Sequence, residues 1–347
     1  MNSPHIRLLF LLLAWPCWGG DLRAQVEVSS SVGQTGYDTN YVVDMTRILT
    51  TRLFISTKIN SFTIEDADSA KTLVHRPNNQ VNMGFGASYR AFTLNIGIGF
   101  DFLNKDGSVK GTTDYFDAQG NMFGRKFVTN LFFQTYRGYY LDGYTRQQLG
   151  WTVATEQPFR GDIRQSNFGF TLLHIFNNER FSYRASFTQD AWQRRSAGSW
   201  LLGGYATYFG ITADSSLVPG VLRTAFDTAL HIRAGDFVDL GVMGGYAHTF
   251  VVDEHWFLTA SYALGLGPVG YTKVIVGPEG ERTVAQRSGG LHGQGRLALG
   301  YNGRSSWIGI GYNTLYATGG NPSQDLNLAA KGGGMVRIQW SSRHLLQ

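Results

Sequence analysis

The stretch that decides the fold is VNMGFGASYRAFTLNIGIGFDF, residues 81–102, in which apolar residues alternate strictly with small or polar ones. Up to Tyr89 the apolar side chains occupy odd positions, and from Leu94 onwards they occupy even positions. Alternation with a period of two predicts β-strands with one apolar face. The parity changes after Ala91-Phe92, so we expect a two-residue turn there that pairs Tyr89 with Leu94 and keeps the apolar faces together.

Four more stretches predict hairpins by the same rule, with apolar residues on one face and small or polar residues on the other. Their turns are expected at Gly124-Arg125, at Asn178-Glu179, at residues 253–255 and at residues 303–306. The Gly-X order of Gly124-Arg125 suits a type II′ turn. That hairpin would place Gln119 opposite Asn130.

Three further strands, at residues 51–64, 200–212 and 329–339, bring the expected number to thirteen. A barrel with both chain ends on one side needs an even number, so we expect one more crossing between Ala213 and Gly235. Residues 213–235 read instead as a helical insert or plug, because their apolar side chains recur at helical spacing.

Long polar segments connect the strands at the end opposite the short turns. They are expected at residues 65–78, 103–113, 137–162, 189–199, 275–289 and 319–326. Short periplasmic turns and long extracellular loops are typical of outer-membrane barrels, whose strands span ~10 residues. We therefore predict an all-β fold, a single transmembrane antiparallel β-barrel of 12–14 strands, with fourteen favoured. A soluble β-sandwich, whose strands also alternate, is the alternative.

The N-terminus predicts export. A charged start, the apolar run from Leu8 to Trp15 and a small-residue end make residues 1–25 a cleaved signal peptide, which also contains the chain's single cysteine, Cys17. We assign residues 26–48 to a periplasmic N-terminal segment and residues 49–341 to the barrel. The expected location is the outer membrane of a Gram-negative cell.

Composition excludes several classes of protein. Glycine accounts for 44 of 347 residues and aromatic residues for 14%, while charged residues reach only 16% against a usual ~25%. This argues against coiled coils, disordered tails and ordinary cytosolic α/β enzymes. The formal charge of +5 comes without a Lys/Arg cluster, so no nucleic-acid partner is expected. Hydrolase, metalloprotease and phosphate-loop motifs are also absent from the sequence, and we expect no enzyme activity, cofactor or metal.

Several motifs add a family resemblance. They include Tyr115-Phe-Asp-Ala-Gln-Gly120 followed by Gly124-Arg-Lys-Phe127, and Tyr136-Arg-Gly-Tyr-Tyr-Leu141. Over roughly residues 38 to 340 the chain resembles a group of uncharacterised Gram-negative outer-membrane barrels catalogued as a domain of unknown function. The resemblance implies a location and an architecture but no site residues. The chain departs from the wider barrel pattern at its C-terminus, Leu345-Leu346-Gln347, which lacks the usual aromatic signal for barrel-assembly machinery unless Trp340 serves.

Polar residues on the non-apolar face are candidates for lining the lumen. These are Arg90, Asn95, Asp101, Asp117, Gln119, Asn121, Asn130, Gln134 and Arg184. They predict either a polar constriction that binds solute or a hydrogen-bonded network that packs a narrow, closed lumen, because buried polar groups need partners in both cases.

Aromatic residues and arginines in the segment 137–162 are candidates for a binding loop. They are Tyr139, Tyr140, Tyr144, Arg146 and Trp151. This combination suits recognition of a surface glycan or a phosphate, and it equally suits a loop folded onto the barrel.

Three functions follow from these expectations. The favoured one is a passive channel or transport-related barrel for a small solute. The alternatives are a non-conducting structural or surface-binding barrel with ligand recognition in its loops, and an outer-membrane hydrolase. The expected partners in each case are outer-membrane lipids and the barrel-assembly machinery.

Overall fold

The computed structural model describes residues 23–30, 36–66, 71–79, 81–89, 92–319 and 328–344. In these residues the chain is almost entirely β-structure. The strands are β1 (Arg23–Ser30), β2 (Val42–Asp44), β3 (Leu49–Asp66), β4 (Lys71–Arg76), β5 (Val81–Tyr89), β6 (Phe92–Gly99), β7 (Asp114–Phe123), β8 (Phe127–Asp142), β9 (Phe159–Ile175), β10 (Ala191–Gln193), β11 (Ala197–Thr212), β12 (Ile232–Val252), β13 (Trp256–Gly277), β14 (Gly280–Asn302), β15 (Ser306–Gly319) and β16 (Leu328–His344). Two short α-helices, α1 (Gly107–Lys110) and α2 (Tyr183–Phe187), and 3-10 helices at Asp101–Leu103, Gly220–Ala225 and Thr228–Leu230 complete the described part.

Fourteen of the described strands form one sheet that closes on itself. Ten of them make an antiparallel hydrogen-bonded ring, which runs from β3 through β4, β8, β9 and β11 to β16 and back to β3. The other four, β5, β6, β1 and β7, bridge β3 and β8 in the half of the wall nearest the short turns. Strand β1 is antiparallel to β6 and parallel to β7. The predicted all-β antiparallel barrel is thus confirmed.

Apolar side chains cover the outside of the barrel. Val242, Leu266 and Trp200 are each more than 60% exposed, and most strands alternate between exposed and buried residues. A continuous apolar surface of this kind is not tolerated in water by an ordinary soluble domain. Of three tryptophans near strand ends, Trp256 and Trp340 face outward, whereas Trp307 is only 3% exposed and packs inside against Phe257.

No helix in the described ranges combines the length and the apolar character that a membrane-spanning helix requires.

The predicted third hairpin is wrong. In place of the expected return strand at residues 181–187, the chain forms helix α2 (Tyr183–Phe187) inside the barrel, and β9 pairs with β11, with Ile175 opposite Leu201. The apolar side chains of Phe181, Tyr183 and Ala185 are buried in the lumen, and this explains their strand-like hydrophobicity. Removing this strand from the thirteen expected leaves an even number, twelve, and residues 213–231 add no further strand to the sheet.

The end of the barrel opposite the short turns also differs from expectation. Residues 275–289, predicted as a loop, continue β13 and β14 to a tight turn between Gly277 and Gly280. Their side chains are mostly exposed on both faces because this hairpin extends beyond the barrel wall. Strand β4 lies in the predicted loop 65–78, and residues 213–231 form an insert with two 3-10 helices.

The N-terminal segment lies within the barrel where it is described. Residues 26–30, expected in the periplasm, belong to β1 in the wall, and residues 36–48 lie in the lumen. The alternating residues Gln25-Val-Glu-Val28 suit a strand. The predicted signal peptide overlaps β1 at residues 23–25, and its residues 1–22 lie outside the described ranges.

Candidate functional site

The lumen is filled at the short-turn end by two segments, residues 36–48 and 177–196, which we call the plug. They join through the pairing of β2 with β10, in which Trp192 lies opposite Val43. Arg184 at the centre is fully buried, and it donates to Asp190 Oδ1 at 3.2 Å and to Asp44 Oδ1 at 3.3 Å. Burial opposes the charge on Arg184, but the Asp190 and Asp44 carboxylates outweigh it and raise the pKa of the guanidinium.

Hydrogen bonds fasten the plug to the wall on several sides. The Ser186 hydroxyl lies 2.6 Å from Thr259 Oγ1 on β13. On β14, Asn302 Nδ2 donates to the carbonyl oxygens of Ala185 and Ala191, each at 3.2 Å. On β16, Arg343 Nη2 donates to the carbonyl of Gln189 at 2.7 Å. The plug is therefore an integral part of the folded barrel.

A hydrophobic cluster fills the lumen towards the opposite end, and we call it the upper core. Phe62 on β3 stacks on Phe209 of β11, with ring centroids 5.4 Å apart. The insert 213–231 adds Leu217 and Val218, which are fully buried in the same cluster. The carbonyl of Leu217 lies 3.1 Å from His75 Nε2, and this contact fixes the insert to β4.

A cavity of about 160 Å³, lined by both polar and apolar residues, lies between the plug and the wall strands. Four predicted lumen residues, Gln119, Asn121, Asn130 and Gln134, line it. The other polar lining residues are Lys58, Asn60, Ser186, Gln189, Gln294, Arg296, Asn313, Thr314, Arg337 and Gln339.

Asp117 and Asn95 are also on the inner face. Asp117 is fully buried, forms an ion pair with Lys58, and accepts from Gln134 Nε2 at 2.7 Å and from the Tyr136 hydroxyl at 3.1 Å. Asn95 is 3% exposed and accepts from Arg52 Nη1 at 3.2 Å. Both residues therefore belong to packed hydrogen-bonding networks.

Three predicted lumen residues are placed differently or lie outside the description. Arg184 belongs to α2 in the plug rather than to the wall. Asp101 begins a 3-10 helix beyond the end of β6, so it does not lie on a strand as predicted. Arg90 lies outside the described residues.

The five loop-binding candidates do not form an open surface. Tyr139 and Tyr140 lie on β8, which continues to Asp142, and both are buried, with the Tyr139 hydroxyl donating to Gln165 Oε1 at 2.6 Å. Tyr144 and Trp151 pack against the upper core. Arg146 Nη1 donates to the carbonyl of Val153 within the same loop, at 2.8 Å. These positions agree with the alternative of a loop folded onto the barrel.

The sequence analysis missed the cationic residues of the cavity. Lys58, Arg296 and Arg337 each stand next to outward-facing apolar residues, for example Arg337 between Val336 and Ile338. Because they alternate with these outward-facing residues, the pattern could have predicted that their side chains face the lumen. The plug residues that line the cavity carried no such signal, because α2 was predicted as a strand of the wall and Gln189 as part of a loop.

No curated protein sequence matches the chain. Among solved structures, the outer membrane protease OmpT from Escherichia coli aligns with a TM-score of 0.37 and 7% identity, over 87% of this chain and 98% of that one. The toluene transporter TodX of P. putida aligns with a TM-score of 0.24 and 8% identity, over 92% and 96% of the two chains.

These structural similarities are too low to carry an argument about function. The family model gives a firmer result, because it matches residues 36–328, which include the plug and nearly all of the described barrel. The chain belongs to the family described as domain of unknown function DUF4421.

Proposed function

We propose that this protein is a non-conducting outer-membrane barrel with a structural or surface-binding role. The observation that carries the proposal is the filled lumen, with the plug at the short-turn end and the upper core beyond the cavity. A passive solute channel needs a continuous aqueous path, and among the described residues the buried side chains of the plug and of the upper core lie across that path.

The proposed location is the outer membrane of a Gram-negative cell, with the short turns in the periplasm. The apolar outer surface supports it, because lipid would cover the exposed side chains of residues such as Val242 and Leu266. Lipids and the barrel-assembly machinery are then the expected partners. Cell fractionation and N-terminal sequencing test this, and an intact Met1 in a soluble fraction would contradict it.

For surface binding, the hairpin of β13 and β14 is the most suitable element. Glu281, Arg282 and Arg287 are exposed on the part of β14 that follows the turn 277–280 and that β15 does not pair with. A glycan or another surface molecule would reach this hairpin before it reached the buried Tyr139 or Tyr140. The proposal includes no catalytic activity, and assays of lipid and peptide cleavage by the purified protein test that part.

Conductance in planar bilayers tests the closed lumen. The wild type is expected to show no steady current. Phe176 and Trp200 are adjacent across the β9–β11 pair, since Phe176 N donates to the Trp200 carbonyl at 3.2 Å. A two-residue Asn-Gly turn in place of residues 178–198 therefore preserves the wall while it removes most of the plug.

The upper core still closes the opposite end of the lumen in this variant, so we expect neither the wild type nor the variant to conduct, and current through the variant alone would mean that the plug is the effective closure. The passive channel is the second candidate, and the partly polar cavity inside the lumen favours it. Steady conductance of the wild type would establish the channel and reject our proposal.

A further inference from the structure

Two arginines stand side by side on the outer surface of the barrel. Arg137 on β8 lies directly opposite Arg164 on β9, and both side chains are exposed. Like charges in directly opposed positions of neighbouring strands repel each other and destabilise the pair. Arg137 Nε donates to the carbonyl of Gly161 at 3.3 Å, and neither arginine forms an ion pair within the described part of the chain. An anion between the two guanidinium groups would turn this repulsive contact into an attractive one.

Two carboxylates occur near this pair. Asp162 accepts hydrogen bonds from Arg160 Nε and Nη2, at 2.7 and 2.6 Å, and is thereby already engaged. Asp114 lies opposite Arg137 on β7, on the side away from Arg164, and forms no ion pair with it. The position between β8 and β9 is thus bordered by the two guanidinium groups.

The arginine pair lies at one boundary of the lipid-facing surface. Arg137 is ten residues along β8 from Phe127, which follows the short turn and is 47% exposed. Transmembrane strands need ~9–11 residues to cross the hydrocarbon layer. In the proposed orientation the two arginines are therefore at the level of the lipid headgroups, on the side of the long loops.

Below the arginines the outer face changes from polar to aromatic. Two residues towards the short turns, Thr135 lies opposite Ser166, and both hydroxyls can donate hydrogen bonds. Two residues further, Phe133 lies opposite Phe168, and these side chains are 43% and 46% exposed. Cations, hydroxyl donors and apolar rings thus follow one another in the same order as the phosphate and the acyl chains of a lipid.

We propose that this patch binds the phosphate headgroup of an outer-leaflet lipid. The phosphate lies between Arg137 and Arg164, whose planar guanidinium groups can each offer it two parallel donors. The hydroxyls of Thr135 and Ser166 donate to its remaining oxygens, and the acyl chains pack on the two phenylalanine rings. The inference rests on the proposed outer-membrane location, because only there does such a lipid reach the patch.

Native mass spectrometry of the full-length protein in maltoside micelles tests the site, with bound ligand counted over a range of concentrations. The probes are dimyristoylphosphatidic acid, dimyristoylglycerol, which has the same acyl chains without phosphate, and inorganic phosphate. We expect phosphatidic acid to bind at least tenfold more tightly than either of the others. Charged hydrogen bonds and apolar contacts each contribute about that factor or more.

Three variants give the matched comparison. Arg164→Gln is expected to weaken binding of phosphatidic acid at least tenfold, since it removes a charged donor. Arg164→Lys retains the charge but loses the planar pair of donors, so its loss should be smaller. Arg304→Gln changes an exposed arginine in the turn between β14 and β15 and should leave binding unchanged.

Thermal unfolding in the same micelles separates binding from a structural role. Without phosphatidic acid, Arg164→Gln relieves the repulsion between opposed cations, so its Tm should equal or exceed that of the wild type. Saturating phosphatidic acid should raise the Tm of the wild type, because it binds the folded state. The same addition should leave the Tm of Arg164→Gln nearly unchanged.

The proposal is wrong if phosphatidic acid binds no more tightly than dimyristoylglycerol, or if Arg164→Gln binds it as well as the wild type does. Equal binding of inorganic phosphate would mean that the patch takes a free ion, and this would reject a lipid ligand. A lower Tm of Arg164→Gln without lipid would also reject the proposal, because Arg164 would then stabilise the barrel itself. Neither conductance nor cellular location enters these measurements, so failure here is distinguishable from failure of the proposed function.

Discussion

At the scale of single residues, the plug depends on one buried cation. Arg184 is fully buried and Asp190 nearly so, with side-chain exposures of 0% and 4%. Removal of one partner leaves the other charge without compensation in a medium of low dielectric constant, which typically costs ~3–5 kcal/mol. We expect Arg184→Gln to lower the free energy of unfolding by that amount, as measured by urea titration in lipid vesicles.

The control for this prediction is an exposed ion pair at the same end of the barrel. Arg194 bonds Glu254 at 2.7 Å, but the two side chains are 36% and 45% exposed. Such pairs contribute only ~0–1 kcal/mol, so Arg194→Gln should have little effect. An equal loss of stability in both variants would contradict the central role of Arg184.

Glycine on the lumen face makes room for large side chains on neighbouring strands. A Cβ atom on Gly169 would stand 2.2 Å from a ring carbon of Phe132, whereas one on Gly270 would meet nothing within 4 Å. We expect Gly169→Ala to cost about 1–3 kcal/mol through overpacking and Gly270→Ala to change the free energy of unfolding by less than ~0.5 kcal/mol. The same vesicle titration checks both, and similar values for the two variants would contradict this account of the glycine-rich face.

At the scale of strands and hairpins, alternation predicts the faces correctly but not the pairing. Tyr89 was expected opposite Leu94 and lies opposite Phe92, and Gln119 was expected opposite Asn130 and lies opposite Phe132. Both registers are displaced by two residues. A shift of two keeps every side chain on its predicted face, so a pattern of period two cannot detect it. The position of the turn decides the register, and at Gly124 the turn lies one residue later than predicted.

The faces themselves can be tested on β8. Leu131 is 45% exposed on the outer surface, and its neighbour Asn130 lines the cavity and accepts from Arg296. Leu131→Asp places a carboxylate in lipid, where basic side chains cost ~2–4 kcal/mol and acidic ones less. Asn130→Asp places the same group beside a guanidinium. We expect folding into vesicles to be impaired in the first variant only, and the reverse order would mean that inside and outside are exchanged.

The plug shows where prediction from sequence ends. Phe181, Ala185 and Phe187 resemble a strand in their alternation, but they contact other parts of the lumen rather than lipid. Apolar side chains are buried equally well against lipid and inside a protein core, so hydrophobicity alone does not separate these two environments. Four amide residues of the cavity, Gln119, Asn121, Asn130 and Gln134, were predicted because they lie on regular strands. Arg184 was assigned to the wall because its helix was read as a strand.

At the scale of the whole molecule, closure of the ring removes the last free strand edges. β16 pairs with β3 from Leu328 opposite Glu65 to His344 opposite Leu49, along the whole of β16. A closed barrel has no edge from which strands can separate, so detergent should not unfold it without heat. We expect boiled and unboiled samples of the full chain to migrate differently on a detergent gel.

A chain that ends at Gly319 provides the comparison, because it lacks β16 and leaves β15 and β3 with unpaired edges. We expect this truncated chain to migrate identically with and without boiling and to fail to fold into vesicles. The plug offers a second possible source of detergent resistance, since it bonds to β13, β14 and β16. The variant with the Asn-Gly turn separates the two causes: it keeps the ring and should remain heat-modifiable. If that variant instead behaves like the truncated chain, resistance to detergent comes from the filled lumen rather than from closure of the wall.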